Sequence, residues 1–384
     1  MRAPSLDIGR RIVPTMQKRR LGRTGLQVSV VGFGGIPIIS ASRDEAEKVV
    51  KYAVERGINY FDTARNYGDS EEKMGAALKG VRDEVFIATK VLQRTKKDAA
   101  RAGLKQSLTN LQTNRVDLLQ LHGVDSEEIL RKVTGPDGAL AALTEAKAKG
   151  QIDYIGISGH NPHVLEKAIG TGEFDTVLVP LNILDRRASD ALISLANEID
   201  VGIVIMKALG GCAGPLEYPQ REVRFIGRPE RDWPDASEFV AHFGNEGIER
   251  AQRSLKFVLA HDVDTVIPGF RSTEEVDWAL TVADHFEGLT SEEKRAYKFG
   301  ELPPEPFCRE CGACMPCPDG VEIPTILRWG TYSAFYGIEK WTREQYPRLR
   351  TRVNSCTECA ECEKECPYNL PVVSMLKATE KLLA

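Results

Sequence analysis

Apolar runs of strand length alternate with amphipathic segments along most of the chain. The runs QVSVVGFGG, INYFDTA, VFIATK, VDLLQLH, YIGISGH, TVLVPLN, GIVIMKAL and DTVIPGF start at residues 27, 58, 85, 116, 154, 176, 202 and 264. Most are rich in Val, Ile, Leu or aromatics, which suit a buried, pleated strand. Between them, Asp44 to Arg56, Asp98 to Leu111, Leu140 to Lys149, Ser189 to Glu198 and Gly247 to His261 carry apolar residues three and four apart, the spacing of one helix face. A repeated strand–helix alternation implies a parallel sheet, because parallel neighbours need a crossover connection. Eight such units predict an α/β chain closed as a (β/α)8 TIM barrel. An open doubly wound sheet is the alternative, but GFGGIP at Gly32 to Pro37 lacks both the GxGxxG spacing and the helix that should follow it. Ahead of the first unit, KRRLGRTGLQVS predicts a hairpin turning at Arg23 to Gly25 and covering the barrel floor.

The pattern breaks at FGELPPEPF, Phe299 to Phe307, where prolines and a glycine mark a linker. The expected organisation is therefore a tail over 1–16, a barrel over 17–298, a linker over 299–307 and a Cys-rich module over 308–384. Within that module Pro324 to Tyr346 reads as helical. With 384 residues and 42% hydrophobic side chains, the chain can bury one large core or two. A formal charge of -4 gives no general attraction to nucleic acid or to anionic lipid. The basic N-terminus has no apolar h-region, and no apolar run approaches the roughly 18 residues of a spanning helix. A cytoplasmic location is expected, where clustered thiols more often hold metal than pair as disulfides.

All but one of the nine cysteines lie in the last module. Cys308, Cys311, Cys314 and Cys317 read C-x2-C-x2-C-x2-C, and Cys356, Cys359, Cys362 and Cys366 read C-x2-C-x2-C-x3-C-P. The second run is a bacterial [4Fe-4S] pattern, whose fourth cysteine ligates the other cluster in two-cluster proteins. The expected ligand sets are Cys308, Cys311, Cys314 and Cys366 for one cluster, and Cys356, Cys359, Cys362 and Cys317 for the other. A structural zinc pair is the competing reading. Three successive cysteines two apart, and a proline after the fourth, fit iron and sulfur better. The long helical stretch between the bursts points to a helical ferredoxin-like module.

In a barrel of this kind chemistry gathers at the C-terminal strand ends. Asp62 ends the second strand, Tyr67 follows in the loop DTARNYGDSEE before a helix expected to start at Asp69 with Glu72, Lys90 ends the third strand and His122 the fourth. Singly, each has a plain explanation: a helix cap, a solvated rim lysine, a locally bonded His or Tyr. Together they suit a carbonyl that receives hydride, whose oxygen needs a proton donor and oriented dipoles. Tyr67 would donate the proton, Lys90 would lower its pKa, Asp62 would anchor Lys90, and a neutral His122 would orient the oxygen.

The segments FDTARNYG, TK, LQLH and IGISG, in this order on successive strands, closely resemble the aldo-keto reductase family. With the tail, the chain is similar to the branch that carries a ferredoxin-like iron-sulfur domain. The resemblance spans about residues 17 to 290 and implies a (β/α)8 barrel binding extended NAD(P)H, with Asp62, Tyr67, Lys90 and His122 as its catalytic tetrad. It further implies nicotinamide contacts from Ser158 and Gly159, although the Asn usual after that Ser is replaced by Gly159 and His160. Asn182 stands in for a Gln on the sixth strand, and Met206 followed by Lys207 stands where an aromatic often stacks. Pro268, Gly269, Arg271 and Glu275 fall at the adenosine-phosphate site, Gly269 in place of a Lys. Gly34, Asp62 and Leu209 complete the implied cofactor contacts. A Glu275 carboxylate beside the ribose would favour NADH, and Arg271 would offset it, so the choice between NADH and NADPH stays open.

Two functions follow. One is NAD(P)H-dependent interconversion of a small carbonyl compound and an alcohol, with two [4Fe-4S] clusters for electron transfer or structure and a redox partner such as ferredoxin. The other is an electron-transfer or docking protein that keeps the barrel as a nucleotide-binding scaffold. A hydride carries two electrons and a cluster takes one, and no flavin motif links them. The insert between Ala208 and Asn245 is expected to lie over the barrel mouth and to influence substrate choice.

Overall fold

In the computed structural model, residues 16–92, 96–183, 185–209, 247–298 and 308–384 are described. The N-terminal tail up to residue 15, most of the insert after Ala208, and the linker 299–307 lie outside them.

A hairpin of β1 (Lys18–Arg20) and β2 (Gln27–Ser29) opens the fold, antiparallel as expected. Eight parallel strands then run in sequence order: β3 (Phe33–Gly34), β4 (Tyr60–Asp62), β5 (Phe86–Leu92), β6 (Val116–His122), β7 (Ile152–Ser158), β8 (Thr176–Pro180), β9 (Gly202–Met206) and β10 (Thr265–Val266). The ring closes between first and last, where Val31 pairs with Val266 and Gly34 with Gly269, both parallel. Gly32 N donates to Val266 O at 2.8 Å, and Gly34 N to Pro268 O at 2.8 Å. The run QVSVVGFGG, read as one strand, is thus two. Its first half pairs with β1 and its second with β4 and β10, because Val30 donates back to Gln17 while its carbonyl accepts from Val266.

The hairpin does cover the floor. Arg23 N donates to Asp200 O, just before β9, and Tyr154 Oη on β7 donates to Thr24 O. Gly22 has φ +44, and a Cβ there would lie 2.1 Å from Gly202 N, so only glycine lets the two backbones meet.

Helices α1 (Arg43–Glu55), α2 (Ser70–Leu78), α3 (Lys97–Asn110), α4 (Glu127–Thr134), α5 (Ala139–Ala148), α6 (Pro162–Ile169), α7 (Leu192–Glu198), α8 (Gly247–Leu259) and α9 (Thr273–Asp284) follow the strands. A capping box of Ser42 and Glu45 starts α1. At α2 the expected cap is not made. Asp69 stands at the N-cap without a side-chain cap bond, and its carboxylate pairs with Lys73 at 2.9 Å. Lys73 is buried, its ammonium also donating to the carbonyls of Ile38, Ile39 and Ala41, and it needs that counter-charge.

After α10 (Ser291–Lys298), the Cys-rich module forms α11 (Ile323–Phe335), α12 (Glu339–Gln345), α13 (Glu361–Lys364) and α14 (Val372–Leu383). It has its own core, in which Val321, Ile326, Leu327, Leu370 and Leu376 pack with Cys366.

The strand period of two stacks the barrel interior in layers. Tyr60, Ala88, Leu118, Leu178, Val204 and Ile267 meet Leu21 of the hairpin in an apolar floor. Two residues further along β4, β5 and β6 come Asp62, Lys90 and Gln120, and two further again on β6 comes His122. The polar layer of the site is therefore the continuation of the same inward face.

Gly75 in α2 abuts Leu111, whose backbone carbon a Cβ would meet at 2.5 Å. Gly75→Ala is expected to lower the unfolding free energy by about 1–3 kcal/mol, whereas Gly80→Ala, with nothing within 4 Å, should change it little. Denaturant titration checks both.

Candidate active site

Lys90 and Asp62, 1% and 3% exposed, form a buried ion pair. Lys90 Nζ also donates to Thr63 O at 2.8 Å, and Gln120 Nε2 donates to the second Asp62 oxygen at 2.9 Å. Gly156 on β7 makes the room: a Cβ there would come within 3.0 Å of Gln120 Cγ and 2.5 Å of Thr176 Oγ1. Gln120 escaped the sequence reading, although it lies on the inward face two residues before His122.

Tyr67 stands on the loop after β4, fixed by Tyr67 N donating to Ala64 O and Ser70 N to Tyr67 O. Its ring has Lys90 Nζ 5.0 Å from the centroid and meets the His122 ring edge-on at 5.7 Å. The four strand-end residues do converge. The electrostatics differ from expectation. Burial, then the Asp62 carboxylate, pushes the Tyr67 hydroxyl well above its ordinary 10.0, while the cation that pulls it down is Arg328. Lys90 is matched by Asp62 at contact distance, so its charge is largely cancelled at the phenol. Burial also raises the Asp62 carboxyl, against the pull of Lys90 and Gln120. Burial, then the charges of Lys90 and Arg328, holds His122 well below 6.5, so the imidazole is neutral; its buried Nδ1 has no hydrogen-bond partner among the described residues.

The Cys-rich module roofs this mouth, which no sequence pattern announced. Glu310, between Cys308 and Cys311 and 5% exposed, forms an ion pair with Lys207 after β9, accepts from Arg328 Nη1 at 2.8 Å, and lies 3.6 Å from His160 Nε2. Burial alone would raise its carboxyl, but His160, Lys207 and Arg328 hold it well below the usual carboxylate range. Trp341 lies over Gly68, where a Cβ would come 3.2 Å from the indole nitrogen, and Gly337 lies over Arg271. Arg187 Nη2 donates to Arg309 O, and the Arg309 guanidinium stacks 4.3 Å over Tyr368.

A model of the aldo/keto reductase family matches residues 30–296. The chain belongs to this family. A second model, of a 4Fe-4S dicluster domain, matches residues 307–371. The uncharacterized oxidoreductase YqkF of Bacillus subtilis is 28% identical, covering 73% of this chain and 95% of the relative. L-galactose dehydrogenase of Arabidopsis thaliana is 29% identical, covering 71% and 90%. Among solved structures, the holo form of aldo-keto reductase AKR11C1 from Bacillus halodurans superposes with a TM-score of 0.61 at 30% identity, covering 74% of this chain and 95% of that one. The protein is thus an NAD(P)H-dependent oxidoreductase of the aldo/keto reductase family with a C-terminal 4Fe-4S domain. No helix among its described residues is long and apolar enough to cross a membrane.

In this reductase the residues expected to meet the cofactor each have partners within the fold. Ser158 Oγ accepts from Gly123 N and donates to Leu121 O, and a Cβ on Gly159 would press on Val124 O at 2.7 Å. Asn182 is tied locally, Nδ2 donating to Lys207 O at 3.0 Å and Oδ1 accepting from Asp185 N at 2.8 Å. It thereby braces Lys207, whose φ is +55. Met206 packs on the floor cluster, and Leu209 on the outer core. Gly34, Pro268 and Gly269 make the barrel seam, and Gly269 has no space for a lysine because a Cβ would lie 2.3 Å from Pro37 Cγ. Glu275, expected beside the ribose, accepts from Arg271 N at 2.6 Å and faces the Arg271 guanidinium at 3.7 Å. Arg271 is thus the free-standing charge of that pair only in part.

The two bursts of cysteines lie together: Cys314 feels Cys311, Cys362 and Cys366, and Cys362 feels Cys356, Cys317 and Cys359, so Cys314 and Cys362 influence each other across the two expected sets. Burial first, then neighbouring charges, pushes Cys308 and Cys314 up to about 12 and Cys362 to about 11. Crowded thiols of this kind suit a cationic iron–sulfur core, which keeps them deprotonated. No three His, Cys, Asp or Glu side chains among the described residues form a single-ion site.

Breaking the Asp62–Lys90 pair strands one buried charge. Lys90→Met should destabilise the reductase by about 3–5 kcal/mol, and adding Asp62→Asn should recover part of that in a double-mutant cycle. For His122, a folded pKa below the unfolded one means that acid protonates the unfolded chain first, so this imidazole costs stability as pH falls through about 6.5. Proton NMR should show no His122 titration near pH 6.5, and His122→Gln should flatten the acid-side decline in unfolding free energy.

Proposed function

We propose that this oxidoreductase reduces a small aldehyde or ketone to an alcohol, with Tyr67 as general acid, His122 as hydrogen-bond donor to the carbonyl oxygen, and Lys90, anchored by Asp62 and Gln120, fixing the field beneath them. The observation that carries the reading is the convergence of the Tyr67 phenol and a neutral His122 above a buried Lys90–Asp62 pair, at the C-terminal ends of β4, β5 and β6. When bound, a reduced nicotinamide supplies hydride to the carbonyl carbon. As that bond forms, the C=O electron pair moves onto oxygen, which takes the Tyr67 proton. A neutral imidazole can donate through one nitrogen to the same oxygen while its second stays unprotonated.

Burial keeps the Tyr67 phenol protonated, the form that a proton donor must start from. Asp62, Ser158, Gly159, Asn182, Met206, Lys207, Leu209, Gly34, Pro268, Gly269, Arg271 and Glu275 are the residues proposed to meet the dinucleotide. Since Glu275 is tied to Arg271, the pair does not argue for NADH over NADPH.

In the C-terminal module, Cys308, Cys311, Cys314 and Cys366 would hold one [4Fe-4S] cluster and Cys356, Cys359, Cys362 and Cys317 the other. Cys359 is exposed, so the second cluster would lie nearer to any external partner such as ferredoxin. The first would lie behind Glu310, next to the barrel mouth.

Tyr67→Phe should lower kcat for carbonyl reduction roughly 10²- to 10⁴-fold while leaving NADPH binding by fluorescence titration unchanged; retained turnover would reject Tyr67 as the acid. Anaerobically purified protein should contain about eight irons and eight sulfides per chain, and half that content would leave one cysteine set without a cluster.

A further inference from the structure

The roof brings more than cover. Arg328, Tyr332 and Tyr336 stand four apart along α11 and its C-cap, on one helix face. The two tyrosine rings meet edge-on at 5.2 Å. Trp329 of α11 meets Trp341 edge-on at 6.2 Å, Trp341 lies over Gly68 next to Tyr67, and Glu310, held by Arg328, lies 3.6 Å from His160; the Arg328 charge acts on both Tyr67 and His122, and Tyr67 on Tyr332, so α11 borders the candidate site. All three side chains keep accessible surface although burial is the largest influence on each, as expected of groups lining an internal space.

The hydrogen-bonding inventory of that space is one-sided. Arg328 donates one bond, from Nη1 to Glu310. Its remaining guanidinium donors and the hydroxyls of Tyr332, Tyr336 and Tyr67 form no hydrogen bond among the described residues. The nearby acceptors are occupied: Glu310 is held by Lys207 and Arg328, and Asp125 accepts from His160 N and faces His160 Nδ1 at 3.3 Å. Lys207 and Arg328 bring two cations to the single Glu310 carboxylate. What such a wall lacks is an acceptor carrying negative charge, and a planar guanidinium edge matches a carboxylate.

We infer that Arg328, flanked by Tyr332 and Tyr336, is a substrate subsite contributed by the cluster module, and that the reductase acts on carbonyl compounds bearing a carboxylate. This rests on the carbonyl-reduction reading for its chemistry, but the subsite can be tested apart from it. The carbonyl lies at Tyr67 and His122, and the carboxylate reaches Arg328.

The test uses the cluster-loaded full chain. Turnover of 4-carboxybenzaldehyde is compared with that of 4-carbamoylbenzaldehyde, its uncharged analogue, in wild type, Arg328→Gln and Arg328→Lys. Calorimetry measures benzoate against benzamide on the NADP+ complex. Iron content and melting temperature screen out misfolded variants. Wild type should prefer the carboxylated aldehyde in kcat/KM. Arg328→Gln should shrink that preference by about tenfold or more, beyond any loss common to both substrates, and weaken benzoate binding in parallel, with Arg328→Lys in between. An unchanged preference in Arg328→Gln, or no preference in wild type, overturns the subsite. If neither aldehyde is turned over, the carbonyl-reduction reading fails, and benzoate binding alone then decides: loss in Arg328→Gln upholds the subsite and retention overturns it.

Discussion

One buried carboxylate joins the two parts of this molecule. Glu310 sits between Lys207 of the barrel and Arg328 of the cluster module, with His160 close by, almost without solvent contact. Such a group is tolerable in the interior only because cations surround it, and removing it would leave two of them facing each other. Both Lys207 and Glu310 adopt left-handed backbone conformations, with φ +55 and +54. Non-glycine residues hold such conformations only where the surroundings over-determine them, here Asn182 behind Lys207 and the Cys308–Cys311 loop around Glu310. From this contact follows the roof, from the roof the burial of Tyr67, and from that burial a phenol that stays protonated.

The barrel and its polar layer were legible from sequence because a strand repeats every two residues. Tyr60 and Asp62, Ala88 and Lys90, Leu118 and His122 share inward faces, so the strand-end chemistry could be read off the runs themselves. Gln120 was equally legible by that rule and was passed over because a lone glutamine in LQLH carries no obvious chemistry. The capping bond expected of Asp69 lost to a stronger local demand, the buried Lys73 ammonium. The run QVSVVGFGG looked continuous because the sequence does not show which partner each half pairs with. Glu310 and Arg328 were illegible for a deeper reason. Lys207, which ties them to the barrel, lies 103 residues from Glu310 across the module boundary, and a charged residue beside cluster cysteines reads as solvated until the fold places it.

The same contact alters what the clusters could mean for the reductase. A hydride carries two electrons and a [4Fe-4S] cluster takes one, so exchange between them would need an intermediate carrier. Glu310 lies between two of the cysteines expected to hold the first cluster, and whatever fixes those thiols also fixes the carboxylate that meets Lys207. Iron and sulfur at that position would shape the mouth of the barrel without passing it an electron. The aldo/keto reductase relatives that match the barrel cover about three quarters of this chain, so the roof is what this chain adds to the shared scaffold.

The account stands on the claim that Glu310 holds the module over the mouth. Hydrogen–deuterium exchange on cluster-loaded Glu310→Gln measures this directly. If the claim holds, peptides spanning 63–69 and 323–335 exchange faster than in wild type, while β5 and β6 below them do not. Unchanged exchange in both mouth and roof, with the barrel equally intact, would contradict it.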